Sequence, residues 1–272
     1  MGHGEAHPEI PVLDKGFVRL VDCMGDDAAI VQAARVSYGP GTKTVREDAA
    51  LIDYLMRHRH TSPFEMVEFK FHVKAPLFVV RQWFRHRTAS VNEISGRYSI
   101  LKEEFYEPPA WRRQARRNKQ GSEGAFTDEE ALRLLQGVEK EAYEAYQTLL
   151  EKGIAREMAR MVLPLNLYTE FYWKQDLHNL FHFLALRLDP HAQWEIRQYA
   201  QAIALLVKAK VPLAWQSFEE HVLKGAHLSQ TELRALRGLL TPELYEKALK
   251  ELGLSGSRLE EALTKLFPPE PT

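Results

Sequence analysis

The stretch "EMVEFKFHVK", residues 65–74, constrains the fold more than any other. Val67, Phe69, Phe71 and Val73 alternate with Glu68, Lys70, His72 and Lys74. A period of two places the apolar set on one face only if the chain is extended, so this segment predicts a strand with one buried and one wet side. A second alternation, "LYTEFYWK", puts Leu167, Thr169, Phe171 and Trp173 on one side. Each run leads into helical spacing. Pro76 suits the first turn of "PLFVVRQWFRHR", with Leu77, Val80 and Phe84 on a stripe, and "DLHNLFHFLALR" aligns Leu177, Leu180, Phe181 and Leu184. The chain therefore predicts an α+β fold, a small, mostly antiparallel central sheet flanked by helices.

Other signals fill in the order. Asp26 is placed to cap a short helix, and Thr44 with Glu47, then Thr127 with Glu130, have capping-box spacing. The second of these helices runs to a stop at Gly153, and "REMARMVLP" adds a turn or two ended by Pro164. Asp189 and Pro190 are expected to cap a long helix through "HAQWEIRQYAQAIALLVKAK". The Pro-, Gly- and Arg-rich segment 108–124 reads as a long mobile surface loop. From about Leu228 the chain turns Leu/Glu/Lys-rich, a helical appendage without evident chemistry.

Composition narrows the function. A net charge of −1 over 272 residues argues against bulk electrostatic binding of nucleic acid. The single cysteine, Cys23, excludes an intrachain disulfide and suits a reducing cytoplasm. No apolar run approaches a membrane span, and "MGHGEAHPEI" lacks a secretory leader, so a soluble, cytoplasmic protein is expected. There is no G-x-G-x-x-G, Walker A loop or G-x-S-x-G elbow. His178 and His182 are four apart, a metal-compatible spacing, but the run H-N-L-F-H lacks the glutamate of a zinc protease; packed histidines with no metal are the expectation.

Three polar clusters remain: "RHRHTSPFE" with His58, His60, Ser62 and Glu65; "RHRTASVNEISGRYS" at 85–99; and "REMAR" with "LRLDPHAQWEIR", which hold Arg156, Arg160, Arg187 and Arg197. Exposed charged helix ends explain the first and third better than a site does when each is taken alone. The second differs, because Trp83, Phe84 and Tyr98 bracket arginines and hydroxyls, the mixture a nucleotide requires for stacking and phosphate binding. That mixture also suits a non-catalytic nucleotide- or RNA-binding module. A metal-dependent nucleotide hydrolase using His178 and His182 is a third reading.

Arg85-His86-Arg87, seven residues, then Ser95 resembles the R-H-R-x7-S signature of the flavin-dependent thymidylate synthases. The similarity continues through Asn92, Glu93, Gly96, Arg97 and Tyr98, upstream to "HTSPFE" and "FHVKAPLFVVRQWFRHR", and downstream to "AREMARMVLPLN" and "FLALRLDPHAQWEIR". It spans roughly 17–223 in order, which makes residues 1–225 the expected catalytic domain and 226–272 a helical C-terminal extension.

The resemblance implies reductive methylation of dUMP to dTMP, with methylenetetrahydrofolate as carbon donor, FAD as hydride carrier and NADPH as reductant. It implies a homotetramer with shared active sites. By the same resemblance Arg187 is the catalytic residue, favouring loss of the uracil N3 proton. Gln82, Trp83, Phe84, Arg85, Glu93, Ile94, Ser95, Gly96, Arg97, Arg160 and Arg187 would bind dUMP. Ser62, Arg85, His86, Arg87, Glu93, Asp176, Leu177, His178 and His182 would bind FAD, and His60 could sit near flavin or folate. Ser95 has no local base and is assigned to substrate binding, while Cys23 lies outside every motif.

Overall fold

The computed structural model describes residues 8–37, 45–116 and 121–268. In chain order the first unit, Met1–Leu223, contains β1 (Glu9–Val12), β2 (Gly16–Met24), α1 (Asp27–Ala34), α2 (Val45–Arg57), β3 (Glu68–Pro76), α3 (Leu77–Trp83), β4 (Ser90–Glu93), β5 (Trp111–Gln114), β6 (Ser122–Phe126), α4 (Glu129–Glu151), α5 (Arg156–Ala159), β7 (Tyr168–Asp176), α6 (Leu177–Arg187), α7 (Trp194–Lys210) and α8 (Pro212–Phe218). The second unit, Lys224–Thr272, holds α9 (Gln230–Leu239), α10 (Pro242–Glu251) and α11 (Gly256–Leu266). Ser229 and Glu232 form a reciprocal capping box at the start of α9, and the Thr241 hydroxyl caps α10.

The five-stranded sheet has the order β1-β2-β3-β7-β4, and every neighbouring pair is antiparallel. Val67, Phe69, Phe71 and Val73 are buried, as are Leu167, Thr169, Phe171 and Trp173, so both alternations face the core as the period of two requires. β3 and β7 pair over their whole length, from Glu68 opposite Asp176 to Pro76 opposite Tyr168. A helix follows each strand with no loop, starting from opposite ends of the pair. The helices rise about 10 and 16 Å, against about 30 Å for nine extended residues, so their C-terminal ends meet near the middle of the strands. The side chains report that meeting: the Trp83 ring lies edge-on to Trp173 at 5.2 Å and tilted against Phe183 at 5.1 Å.

Several expectations are corrected. Segment 108–124 is not all loop: Trp111–Gln114 pairs antiparallel with Ser122–Phe126, Trp111 lying opposite Phe126, and Arg112 is anchored to buried Glu195. Asp128, not Thr127, caps α4, accepting from the Ala131 amide at 2.9 Å. Asp189 closes a turn onto the His191 amide at 2.7 Å, and α7 starts later, at Trp194. The stretch after α3 is not all loop: Ser90–Glu93 adds an edge strand to β7. Thr44 lies outside the described residues. Gly16 is required where β2 begins, since a Cβ there would stand 2.2 Å from the Tyr199 hydroxyl, which donates to the Lys74 carbonyl.

Candidate active site

The end of α3 leaves carbonyls without helical partners, as every helix end does. One of them, on Gln82, accepts from Arg187 Nη2 at 3.2 Å. Arg187 closes α6, so the guanidinium sits where the C-terminal ends of both helices converge and their dipoles favour a cation. Its Nε donates to His86 Nε2 at 3.1 Å. An imidazole that accepts at Nε2 is neutral and carries its proton on Nδ1. Burial pushes His86 down to about 4, with Arg187 and then His182 adding to the effect. Burial also lowers Arg187 from its ordinary value. With two of its five N–H groups spent on neutral acceptors, Arg187 keeps its charge and three donors for a ligand.

The strand β4 brings the next residues alongside. Thr169 on β7 donates to Glu93 Oε1 at 2.8 Å, and the Ile94 amide donates to the Glu170 carbonyl at 2.9 Å. Beyond it, the Arg97 amide donates to Ser95 Oγ at 3.3 Å, and Arg97 pairs with Glu157 at 3.0 Å. Arg156 donates to the Tyr98 carbonyl at 2.7 Å. A Cβ on Gly96 would come within 3.2 Å of the Arg160 Cδ, so glycine lets the Arg160 stem lie against this turn. Arg85, Arg87 and Arg160 are exposed, and their guanidiniums make no hydrogen bond or ion pair among the described residues. Guanidiniums left unsatisfied in this way are the natural ligands of phosphate oxygens.

The structure sorts the other sequence-derived residues. Trp83 is fully buried against Trp173, Phe171 and Tyr199, so its indole is core and not a stacking surface. Phe84 packs edge-on to Phe171 at 5.2 Å, whereas Ile94 and Tyr98 are exposed. The Asp176 carboxylate caps α6, accepting from the Asn179 amide at 2.9 Å and its side chain at 2.8 Å. Leu177 is buried and its amide donates to the Val67 carbonyl. His182 is exposed, 5.8 Å ring to ring from His86. Ser62 is exposed, before the 3-10 turn Phe64–Met66. His60 stands among Tyr54 and His58, with ring centroids 5.8 and 6.0 Å away. Among the described residues no three His, Cys, Asp or Glu side chains converge as metal ligands. Arg197 of the third cluster is bound to the Pro190 carbonyl at 2.7 Å.

Sequence reasoning missed Gln193 and Glu195. Gln82 donates its amide to the Gln193 side-chain oxygen, and Gln193 donates to Glu195 Oε2 at 2.9 Å. Their signal was a pair of polar residues two apart at the start of an amphipathic helix, which looks like any exposed helix start.

The family described as thymidylate synthase complementing protein matches residues 19–213. A flavin-dependent thymidylate synthase of Thermus thermophilus is 84% identical over 260 residues, 96% of each chain. One from Treponema denticola is 58% identical over 95% of this chain and 97% of its own. In structure, the UMP/dUMP methylase PolB from Streptomyces cacaoi, bound with 5-Br dUMP, superposes with a TM-score of 0.73 at 35% identity, over 80% of this chain and all of that one. The chain belongs to the flavin-dependent thymidylate synthase family.

Proposed function

We propose that this chain is the methyltransferase that converts dUMP to dTMP, with methylenetetrahydrofolate giving the carbon and NADPH the electrons through FAD. The observation that carries this reading is Arg187, a charged guanidinium fixed by the Gln82 carbonyl and a neutral His86, with donors to spare. C5 of uracil is a poor nucleophile, and the one cysteine of the chain stands on β2, outside this constellation. Arg187 placed at the pyrimidine edge stabilises negative charge on the ring after loss of the N3 proton, which makes C5 electron-rich. Preorganised donors of this kind are worth about 10²–10³ in rate.

Unpaired Arg160, with Gly96, the Ser95 hydroxyl and Arg97, fits the nucleotide phosphate, and Arg85, Glu93 and Gln82 complete the cradle. Ile94 and Phe84 contribute at its edge, and Trp83 through its backbone alone. The flavin has a donor set as well. Unpaired Arg85 and Arg87 suit a pyrophosphate, and exposed Ser62 and His182 offer further polar contacts. The side chains of Asp176 and Leu177 are already committed, so segment 176–178 would contribute backbone groups and the His178 ring. FAD, when bound, supplies hydride transfer. Here the chain's own residues bind it, hold His86 neutral and keep Arg187 charged.

Ile94, Tyr98 and Ile100 on one segment, and Met158, Met161 and Leu165 on the next, are exposed apolar side chains on segments joined by the Arg97–Glu157 pair. A patch of this kind supports the homotetramer with shared sites. Among the described residues no helix is long and apolar enough to cross a membrane, and we place the enzyme in the cytoplasm with its nucleotide and folate substrates.

The visible spectrum tests the reading. Purified protein shows a flavin band that NADPH bleaches, and adding folate donor and dUMP restores the band with formation of dTMP. Protein that takes up no flavin, or a reduced flavin that yields no dTMP, refutes it.

A further inference from the structure

We propose that Glu195 is a positioning residue that fixes, through Gln193, which end of the Gln82 amide faces the nucleotide. The proposal rests on the reading that Gln82 contacts dUMP.

Glu195 is 3% exposed, in the first turn of α7. Its Oε1 accepts from Arg112 Nη2 at 2.6 Å and from the Tyr106 hydroxyl at 3.2 Å. Its Oε2 accepts from Gln193 Nε2 at 2.9 Å. A carboxylate ion-paired to arginine offers acceptors only, so Gln193 must turn its NH₂ toward Glu195 and its carbonyl away. That carbonyl receives the NH₂ of Gln82. The Gln82 backbone carbonyl is taken by Arg187 and by the Arg85 amide. What remains for a ligand is the whole Gln82 side-chain oxygen, an acceptor, and at most the second N–H of an amide whose nitrogen is turned toward Gln193.

An amide is nearly symmetric in shape, so packing alone barely distinguishes its two ends. The direction here is imposed from one end of the relay, by a carboxylate that the β5–β6 hairpin holds through Arg112. With a neutral amide at position 195 both directions become available, and Gln82 can present NH₂ instead. A site built to accept from a nucleotide donor, a sugar hydroxyl or the uracil N–H, would then meet donor with donor. Such mismatches between buried polar groups weaken binding strongly.

The test is steady-state kinetics of the FAD-loaded full chain with NADPH and folate saturating and dUMP varied. The variants are Gln82→Ala, Glu195→Gln, Gln193→Leu, and the latter two each combined with Gln82→Ala. We expect Gln82→Ala to raise KM for dUMP about tenfold, Glu195→Gln and Gln193→Leu about three- to tenfold, and kcat to change less than about twofold. In both double variants KM should equal that of Gln82→Ala alone, because a relay acting through Gln82 has nothing left to orient. Additive effects, or a fall in kcat with KM unchanged, overturn the relay and make Glu195 a structural ion pair. If Gln82→Ala leaves KM unchanged, the assignment of Gln82 to dUMP fails. If it raises KM while the other two single variants do not, the relay alone fails. Should Glu195→Gln not fold, Gln193→Leu carries the test, since it leaves the Arg112 pair in place. Repeating the series with 2′,3′-dideoxyuridine monophosphate separates the donors: the Glu195→Gln penalty vanishes if the 3′-hydroxyl is the group read and persists if it is the uracil N–H.

Discussion

The strand–helix units β3–α3 and β7–α6 are built alike, yet they contribute opposite things. Each is nine extended residues running straight into a helix, and the strands pair end to end. α6 delivers a cation, Arg187, to the meeting point, whereas α3 delivers acceptors, the Gln82 carbonyl and the neutral His86 just beyond it. Their starts differ as well. α6 caps itself with the Asp176 carboxylate, while α3 has no side-chain cap. Its first amides donate instead to the Leu167 and Leu165 carbonyls, at 2.9 and 3.0 Å, in the segment that leads into β7. α6 adds its own cap to the one bond its Leu177 amide donates to the Val67 carbonyl, whereas α3 leans on its partner alone. The site is the product of the pair.

The sharpest way to break that complementarity is to remove the cation. Arg187→Ala should lower dTMP formation by about 10²–10³, the scale for a lost donor to developing charge, while the flavin band of the purified protein is retained. Unchanged turnover would take Arg187 out of the chemistry, and lost flavin would make it a cofactor ligand first.

Removing the acceptor comes next. His86→Asn should cost about tenfold in turnover, since a hydrogen bond to a charged group is worth about 1.5–3 kcal/mol and asparagine recovers part of it. It should also change the pH dependence of stability. Above its ordinary value of 6.5, His86 is neutral in both folded and unfolded chains and contributes no slope. As pH falls from 6.5 toward about 4, the unfolded chain takes up a proton that the folded chain refuses, so stability falls through that window. Arg187 and His182 are the charged and titratable groups facing the ring, and the first is charged throughout. The melting temperature of His86→Asn should therefore drop less between pH 7 and pH 5 than that of the unaltered chain; equal drops would show that His86 is not held neutral.

The difference in helix starts gives a smaller effect. Asp176→Ala should cost about 1 kcal/mol, a melting shift of about 2–4 °C, as for other lost caps. Pro76→Ala should shift melting by less, because the α3 amides are satisfied from Leu165 and Leu167 whichever residue precedes them. Equal shifts would mean the two starts are alike after all.

The same contrast explains what could be read from the sequence. The β3 and β7 alternations and the helices behind them were legible because burial of one face writes itself into local periodicity. The R-H-R-x7-S motif drew attention to 85–99 for a similar reason, a density of polar groups that no core accommodates. Trp83 misled, because an aromatic beside arginines looks like a stacking platform when its neighbours Trp173 and Phe183 are ninety or more residues away. The β5–β6 hairpin was hidden by its proline and glycine content, and its anchor, Arg112 on Glu195, is a contact between distant positions. The polarity relay was invisible for a related cause: Glu195 directs Gln193 from two residues away, but the Gln82 amide that Gln193 directs is brought near only by the fold.

The smallest effect belongs to the strand beside the pair. Cys23 sits on β2, opposite Phe69 of β3, with its thiol on the Gly25 carbonyl at 3.4 Å. Burial raises the thiol to about 11, so at neutral pH it is protonated and a poor nucleophile. Cys23→Ala should leave dTMP formation within about twofold and stability within about 1 kcal/mol, because a half-buried thiol gives up little apolar contact. An inactive Cys23→Ala enzyme that keeps its flavin and its melting temperature would move the chemistry off the β3–α3 and β7–α6 pair and onto an attacking sulfur. The uracil ring would then be activated by covalent addition, and Arg187 would be left with binding alone.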